Sequence, residues 1–167
     1  SKCVTHTITK KGDSITLSAK STTYTGSAIT ANTASATSKT TITYTYYSTT
    51  DCSGTALSSA PTNVGNYSVK ATSAGNANYS SGSKCVKHTI TKGTPTVSLA
   101  AKSATYTGSA IAANTATAKN PNGNSVTLSY TYKYYSDSSC ATALSSTPIN
   151  VGTYYVKATS TATTNLN

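Results

Sequence analysis

The chain has 167 residues and a formal net charge of +10, from 13 Lys+Arg against 3 Asp+Glu. It contains no Phe, Trp, Met, Arg, Glu or Gln, so every cation is a lysine and the only carboxylates are Asp13, Asp51 and Asp137. That leaves little for a catalytic carboxylate pair, an arginine fork for phosphate or a glutamine-based covalent cross-link, and it points away from an enzyme.

The first ten residues, Ser1–Lys10, alternate apolar and polar side chains. As a strand they place Val4, His6 and Ile8 on one face and Cys3 on the other. After the short hinge Lys11-Gly12-Asp13-Ser14, the alternating Ile15, Leu17 and Ala19 predict a half-buried strand. Ile42, Tyr44 and Tyr46 predict the most aromatic strand, with these side chains on the core face and Tyr47 pointing the other way. Tyr67, Val69 and Ala71 form a strand launched from the turn Asn63-Val64-Gly65.

The chain then repeats itself. Ser83–Lys92 restates Ser1–Lys10, and Tyr106–Ile111 restates Tyr24–Ile29. Val97, Leu99 and Ala101 match the first predicted strand after the hinge. An insertion around Asn120-Pro121-Asn122-Gly123-Asn124 reads as a turn. Beyond it come Tyr130, Tyr132 and Tyr134, then Tyr154, Val156 and Ala158 after Val151-Gly152. Two copies of a domain of about 80 residues follow, a size suited to a small β-sandwich. No stretch shows helical periodicity, so the class is all-β. No window approaches the roughly 18 apolar residues of a membrane helix.

The Tyr-Thr-Gly-Ser-Ala-Ile motif, the Tyr-rich strand, the Asn-Val-Gly-x-Tyr-x-Val-Lys-Ala strand and Gly75-Asn76-Ala77-Asn78-Tyr79 resemble bacterial immunoglobulin-like repeats of the MBG type in large surface proteins. Copy 2 departs from the last motif at Thr161–Asn167. The resemblance implies two tandem Ig-like β-sandwiches in an extracellular protein, on the bacterial cell surface or secreted, serving as a stalk or adhesin module. It supplies no catalytic residues. In such arrays the strand before the hinge closes a domain and the strand after it opens the next.

On that frame, residues 11–92 form domain 1, and 93–167 form domain 2 without its own last strand. Residues 1–10 are then a terminal strand for a neighbouring subunit or a preceding repeat, with Cys3, Val4, His6 and Ile8 as its functional positions. Alternatively, residues 1–10 open domain 1 and both domains are self-contained. The disulfides differ between the two. The first frame pairs Cys52 with Cys85 within the chain and Cys140 with Cys3 of the next subunit. The second pairs Cys3 with Cys52 and Cys85 with Cys140. An even cysteine count in a chain of secreted character makes disulfides the default.

Other chemistry finds less support. Cys-x-x-His occurs at Cys3/His6 and Cys85/His88, but strand positions three apart face opposite sides, so a shared metal is not expected. The lysines are dispersed, so nucleic acid is not an expected partner. No cofactor and no membrane insertion are expected. Tyr47 and Tyr135 are the side chains best placed by alternation for an exposed contact with host glycans. The expected function is a structural segment of an extracellular bacterial fibre, joined head to tail to copies of itself or neighbouring repeats. A glycan- or mucin-binding adhesin module is the alternative.

Overall fold

A computed structural model describes all residues, Ser1–Asn167, as two compact units, Ser1–Thr91 and Lys92–Asn167. Both units consist of strands and connecting turns.

In unit 1, β1 (Ile15–Thr16) pairs antiparallel with β3 (Ser35–Ala36) to make one face of a sandwich. The other face is a four-stranded sheet, ordered β2 (Lys20–Thr23), β6 (Gly82–Thr91), β5 (Gly65–Ser73) and β4 (Ile42–Tyr47). β6 lies between two neighbours, running antiparallel to β5 and parallel to β2. The core forms where the sheets meet: Ile15 and Leu17 pack against Tyr46, Val69 and Ala71. These are the β-branched and aromatic side chains that alternate inward on a pleated strand, as packing of this kind requires.

Two tyrosine hydroxyls tie the sheets together. Tyr46 Oη accepts a hydrogen bond from the Ala31 amide (2.8 Å), and Tyr44 Oη accepts one from Ala34 (2.7 Å). Tyr44 is 37% exposed, against its expected place in the core. Its ring lies at the sandwich edge so that the hydroxyl can reach a backbone donor that would otherwise lack a partner.

In unit 2, β7 (Thr96–Ser98), β8 (Thr117–Lys119) and β9 (Ser125–Val126) form a three-stranded sheet. The inserted turn creates β9. Gly123 adopts φ +89°, and the Asn120 side-chain oxygen accepts from the Asn124 amide at 3.0 Å. The opposite sheet has only β10 (Tyr130–Tyr135) and β11 (Tyr155–Ser160), paired antiparallel. The tyrosine ties recur: Tyr134 Oη accepts from Ala113 (2.9 Å) and Tyr132 Oη from Ala116 (2.8 Å).

The divergent end of copy 2 makes the same turn as copy 1 from different residues. In unit 1 the Asn76 side-chain oxygen accepts from Asn78 and Tyr79 amides, and Lys11 bridges in parallel to Tyr79. In unit 2 the Thr163 hydroxyl accepts from Asn165 and Leu166 amides, and Gly93 bridges in parallel to the buried Leu166. A hydroxyl thus replaces an amide oxygen, and leucine replaces tyrosine.

Candidate strand-acceptor groove

β6 shows what one strand contributes to this fold. Its inward face carries Val86, His88 and Ile90, with His88 and Ile90 among the most deeply buried side chains. It covers β5, whose Val69 and Ala71 are buried beneath the sheet. The register pairs Val86 with Val69, His88 with Tyr67 and Ile90 with Gly65, while Lys20 on β2 lies beside His88. Cys85, on the outward face, is joined to Cys52 with a Cα–Cα distance of 6.1 Å. The pairs Cys3–Cys52 and Cys85–Cys140 are therefore not formed, because Cys52 and Cys85 are bonded to each other.

Residues 92–167 contain no counterpart of β6. β11 has β10 on one side only, and its Val156 and Ala158 are half-buried where Val69 and Ala71 are covered. Lys102–Thr105, which matches β2, is exposed and belongs to no sheet. Between this segment and β11 runs a groove of about 900 Å³. Tyr106, Ile111, Ile149, Val151 and Tyr154 are among the apolar and aromatic residues that line it. Val151 is 86% exposed, an unusual state for a residue whose counterpart Val64 is half-buried.

The groove is held open by the bonds that frame β6 in unit 1. Lys20 Nζ donates to the Thr30 carbonyl and Lys102 Nζ to the Ala112 carbonyl, both at 2.7 Å. The Ile29 amide donates to Pro61 (2.9 Å), and the Ile111 amide to Pro148 (3.1 Å). Asn32 and Asn114 donate to equivalent carbonyls, Ser18 and Ala19 in one unit and Ala100 and Ala101 in the other. The walls are thus built before any strand fills them.

The sequence that matches β6 lies elsewhere. Ser1–Lys10 forms no strand and is exposed throughout, with Val4 71% and Ile8 87% accessible. It does not serve as an opening strand of unit 1, since the β6 position there is occupied by Gly82–Thr91. Cys3 and Cys140 are both free thiols. Cys140 has φ +55° and Cys52 φ +59°, so the free cysteine already holds the backbone conformation of the bridged one. Asp137 fixes that turn, accepting from the amides of Ser139 (3.0 Å), Ala141 (3.1 Å) and Thr142 (2.6 Å). The Ser139 hydroxyl, followed by these amides, holds the Asp137 carboxyl well below the usual carboxylate range.

His88 is the buried titratable group of unit 1. Its side chain is 0% exposed, neither ring nitrogen has a hydrogen-bond partner, and Tyr46 meets it edge-on at 5.7 Å. Burial pushes its imidazole below the usual histidine range, and nearby Lys20 adds to the effect while the Ile29 carbonyl opposes it. The unfolded chain then binds the extra proton, so unit 1 should lose stability as pH falls below about 6.5. Chemical denaturation of wild type and His88→Leu at pH 7.5 and 5.0 checks this, the variant losing less on acidification.

Tyr135 does not present an open ring for a sugar. It is 8% exposed because the chain folds back beside it, bridging Tyr135 to Ala143. Tyr47 is half-buried beside its own bridge to Ala56. No group of three or more His, Cys, Asp or Glu side chains converges to hold a metal ion.

The MBG domain family matches residues 13–94 and again 95–165, nearly the whole chain. The chain belongs to the MBG domain family. Its two MBG segments are tandem repeat modules of the kind found in surface proteins, and no helix is long and apolar enough to cross a membrane. Neither a curated protein nor a solved structure matches the chain. The two MBG copies differ in one respect: in unit 1 β6 lies between β2 and β5, and in unit 2 the matching groove is open. The sequence repeat makes the missing strand findable. The tyrosine ties, the proline carbonyls and the role of Leu166 carry no such sequence signal beyond the recurrence of Tyr-x-Tyr.

Proposed function

We propose that this chain is a structural segment of an extracellular bacterial fibre or adhesin stalk, without catalytic activity, in which copies join head to tail. Ser1–Lys10 of one copy enters the unit 2 groove of the next as its last strand, and disulfides reinforce the joint. One observation carries this reading: the sequence that is a buried strand in unit 1 recurs, exposed, at Ser1–Lys10, while unit 2 holds an open groove with matching walls.

Strand addition of this type satisfies backbone groups along a sheet edge and fills side-chain pockets at alternate positions. Transferring the β6 register sets Val4 opposite Val156 on β11, and His6 and Ile8 opposite Tyr154 and Gly152 in the segment that leads into it. Cys3 then takes the place of Cys85, and Cys140 that of Cys52. The contact uses different surfaces on the two partners and does not close, so it propagates into a filament. Within the chain, β6 already closes unit 1 and leads through Lys92 into unit 2, the same connection on one polypeptide.

The test uses Val4→Asp with Ile8→Asp. Both side chains are exposed in the single chain, so unit 1 keeps its core. Burying two such apolar groups contributes roughly 1.5–3 kcal/mol each, so the variant should associate at least about a hundredfold more weakly. Sedimentation velocity should show wild type growing with concentration and the variant staying at 17.0 kDa. A wild type that remains monomeric, or a variant that assembles equally well, sinks the reading.

A further inference from the structure

The strand docked in unit 1 carries its histidine in an environment hostile to charge, and the free strand carries the same residue at the matching position. We propose that His6 makes head-to-tail docking depend on pH, favouring assembly near neutrality and release in acid. This rests on the strand-docking reading above and adds a regulator to it.

In β6 the imidazole of His88 is wholly buried between Val86 and Ile90 on the inward face, with no partner at either ring nitrogen. The ionisable groups around it are Tyr67 opposite on β5, Tyr46 edge-on from β4 and Lys20 beside it on β2. No carboxylate stands among them. A second proton on this ring would be a buried, unpaired charge near a lysine, which a protein interior strongly disfavours.

The unit 2 groove repeats each of these neighbours. Tyr154 stands for Tyr67, Tyr134 for Tyr46 and Lys102 for Lys20, and the groove lining includes all three. Tyr134 Oη and Lys102 Nζ make the same backbone bonds as their counterparts, so neither is free to move away as a strand arrives. The carboxylate nearest in sequence, Asp137, is engaged with the turn that carries Cys140. His6 in the free strand is exposed to water. It must give up its proton to dock.

A histidine in water takes up a proton that a buried, unpartnered one cannot hold, so docking weakens as pH falls through the general histidine range. Between pH 7.5 and 5.0 the affinity should fall about thirtyfold. Above about pH 7.5 it should be flat.

The 167-residue chain carrying Cys3→Ser and Cys140→Ser together loses thiol cross-linking and keeps Cys52–Cys85. Its association constant, read by sedimentation at pH 7.5, 6.5, 5.5 and 5.0, should fall about thirtyfold across the series. Adding His6→Leu should make the profile flat whatever affinity it shows at pH 7.5, and unit 1 stays folded because the residue is exposed in the single chain and His88 is untouched. Equal profiles with and without His6→Leu overturn the pH proposal while leaving strand docking standing. Absence of association at pH 7.5 in both chains overturns strand docking itself, and the pH proposal with it.

Discussion

Native chains run on a denaturing gel without reductant should give a ladder in steps of 17.0 kDa, collapsing to one band when reductant is added. The ladder reports a Cys140–Cys3 bond between successive copies. Cys140 already has the backbone shape of Cys52, and the β6 register carries Cys3 to the position of Cys85. Bond formation needs an oxidant, and a small-molecule disulfide such as oxidised glutathione suffices. The Cys140 thiolate displaces one glutathione, and the Cys3 thiolate displaces the second from the mixed disulfide. Two thiols are oxidised, one glutathione disulfide is reduced to two thiols, and two protons are accounted for.

Digestion after lysine distinguishes this joint from random pairing. It should yield peptide Cys3–Lys10 bound to Tyr134–Lys157, beside the internal pair Thr40–Lys70 bound to Cys85–Lys87. A Cys140→Ser chain should run as a monomer. Dimers from that variant would mean that Cys3 pairs with Cys3, which contradicts a head-to-tail joint.

The second large effect falls on unit 1 alone. Removing the internal bridge with Cys52→Ala and Cys85→Ala frees a loop with a sequence separation of 33. Chain entropy places the loss near 4 kcal/mol, against a total of about 5–15 kcal/mol for a typical domain. For a domain of this size that lowers the melting temperature by about 15–30 °C. Thermal unfolding followed by circular dichroism should show the shift in one transition only. A change under about 5 °C would mean that the reduced, unfolded chain is already compact. Ser68 belongs to the same device, because its hydroxyl accepts from the Cys52 amide at 2.8 Å and holds the loop over β5.

Much of this architecture was legible in the residues. Alternation located β4, β5, β10 and β11, and the repetition of Ser1–Lys10 as Ser83–Lys92 drew attention to the segment that forms β6. Alternation failed at Tyr135, because it assigns faces of a sheet and takes no account of a loop folding back beside the strand, as Ala143 does there. It failed at Tyr44 too, where a hydroxyl seeking a backbone donor overrode the pull of the ring toward the core. The short β1 and the loss of pairing at Lys102–Thr105 were beyond it as well. A strand forms only when a neighbour supplies hydrogen bonds, and β2 exists in unit 1 because β6 lies beside it.

The Cys52–Cys85 bridge also bears on how unit 1 answers a pull on the two ends of its chain. Tension entering from the two ends of the chain crosses from Cys52 to Cys85 through the sulfur atoms and bypasses everything between them. The sequence separation of 33 corresponds to about 115 Å of extended chain at roughly 3.5 Å per residue. That slack stays locked even if the hydrogen bonds of β5 and β6 are torn. The bridge therefore withholds that length of chain from any extension of unit 1, while the residues outside it stay free to unravel.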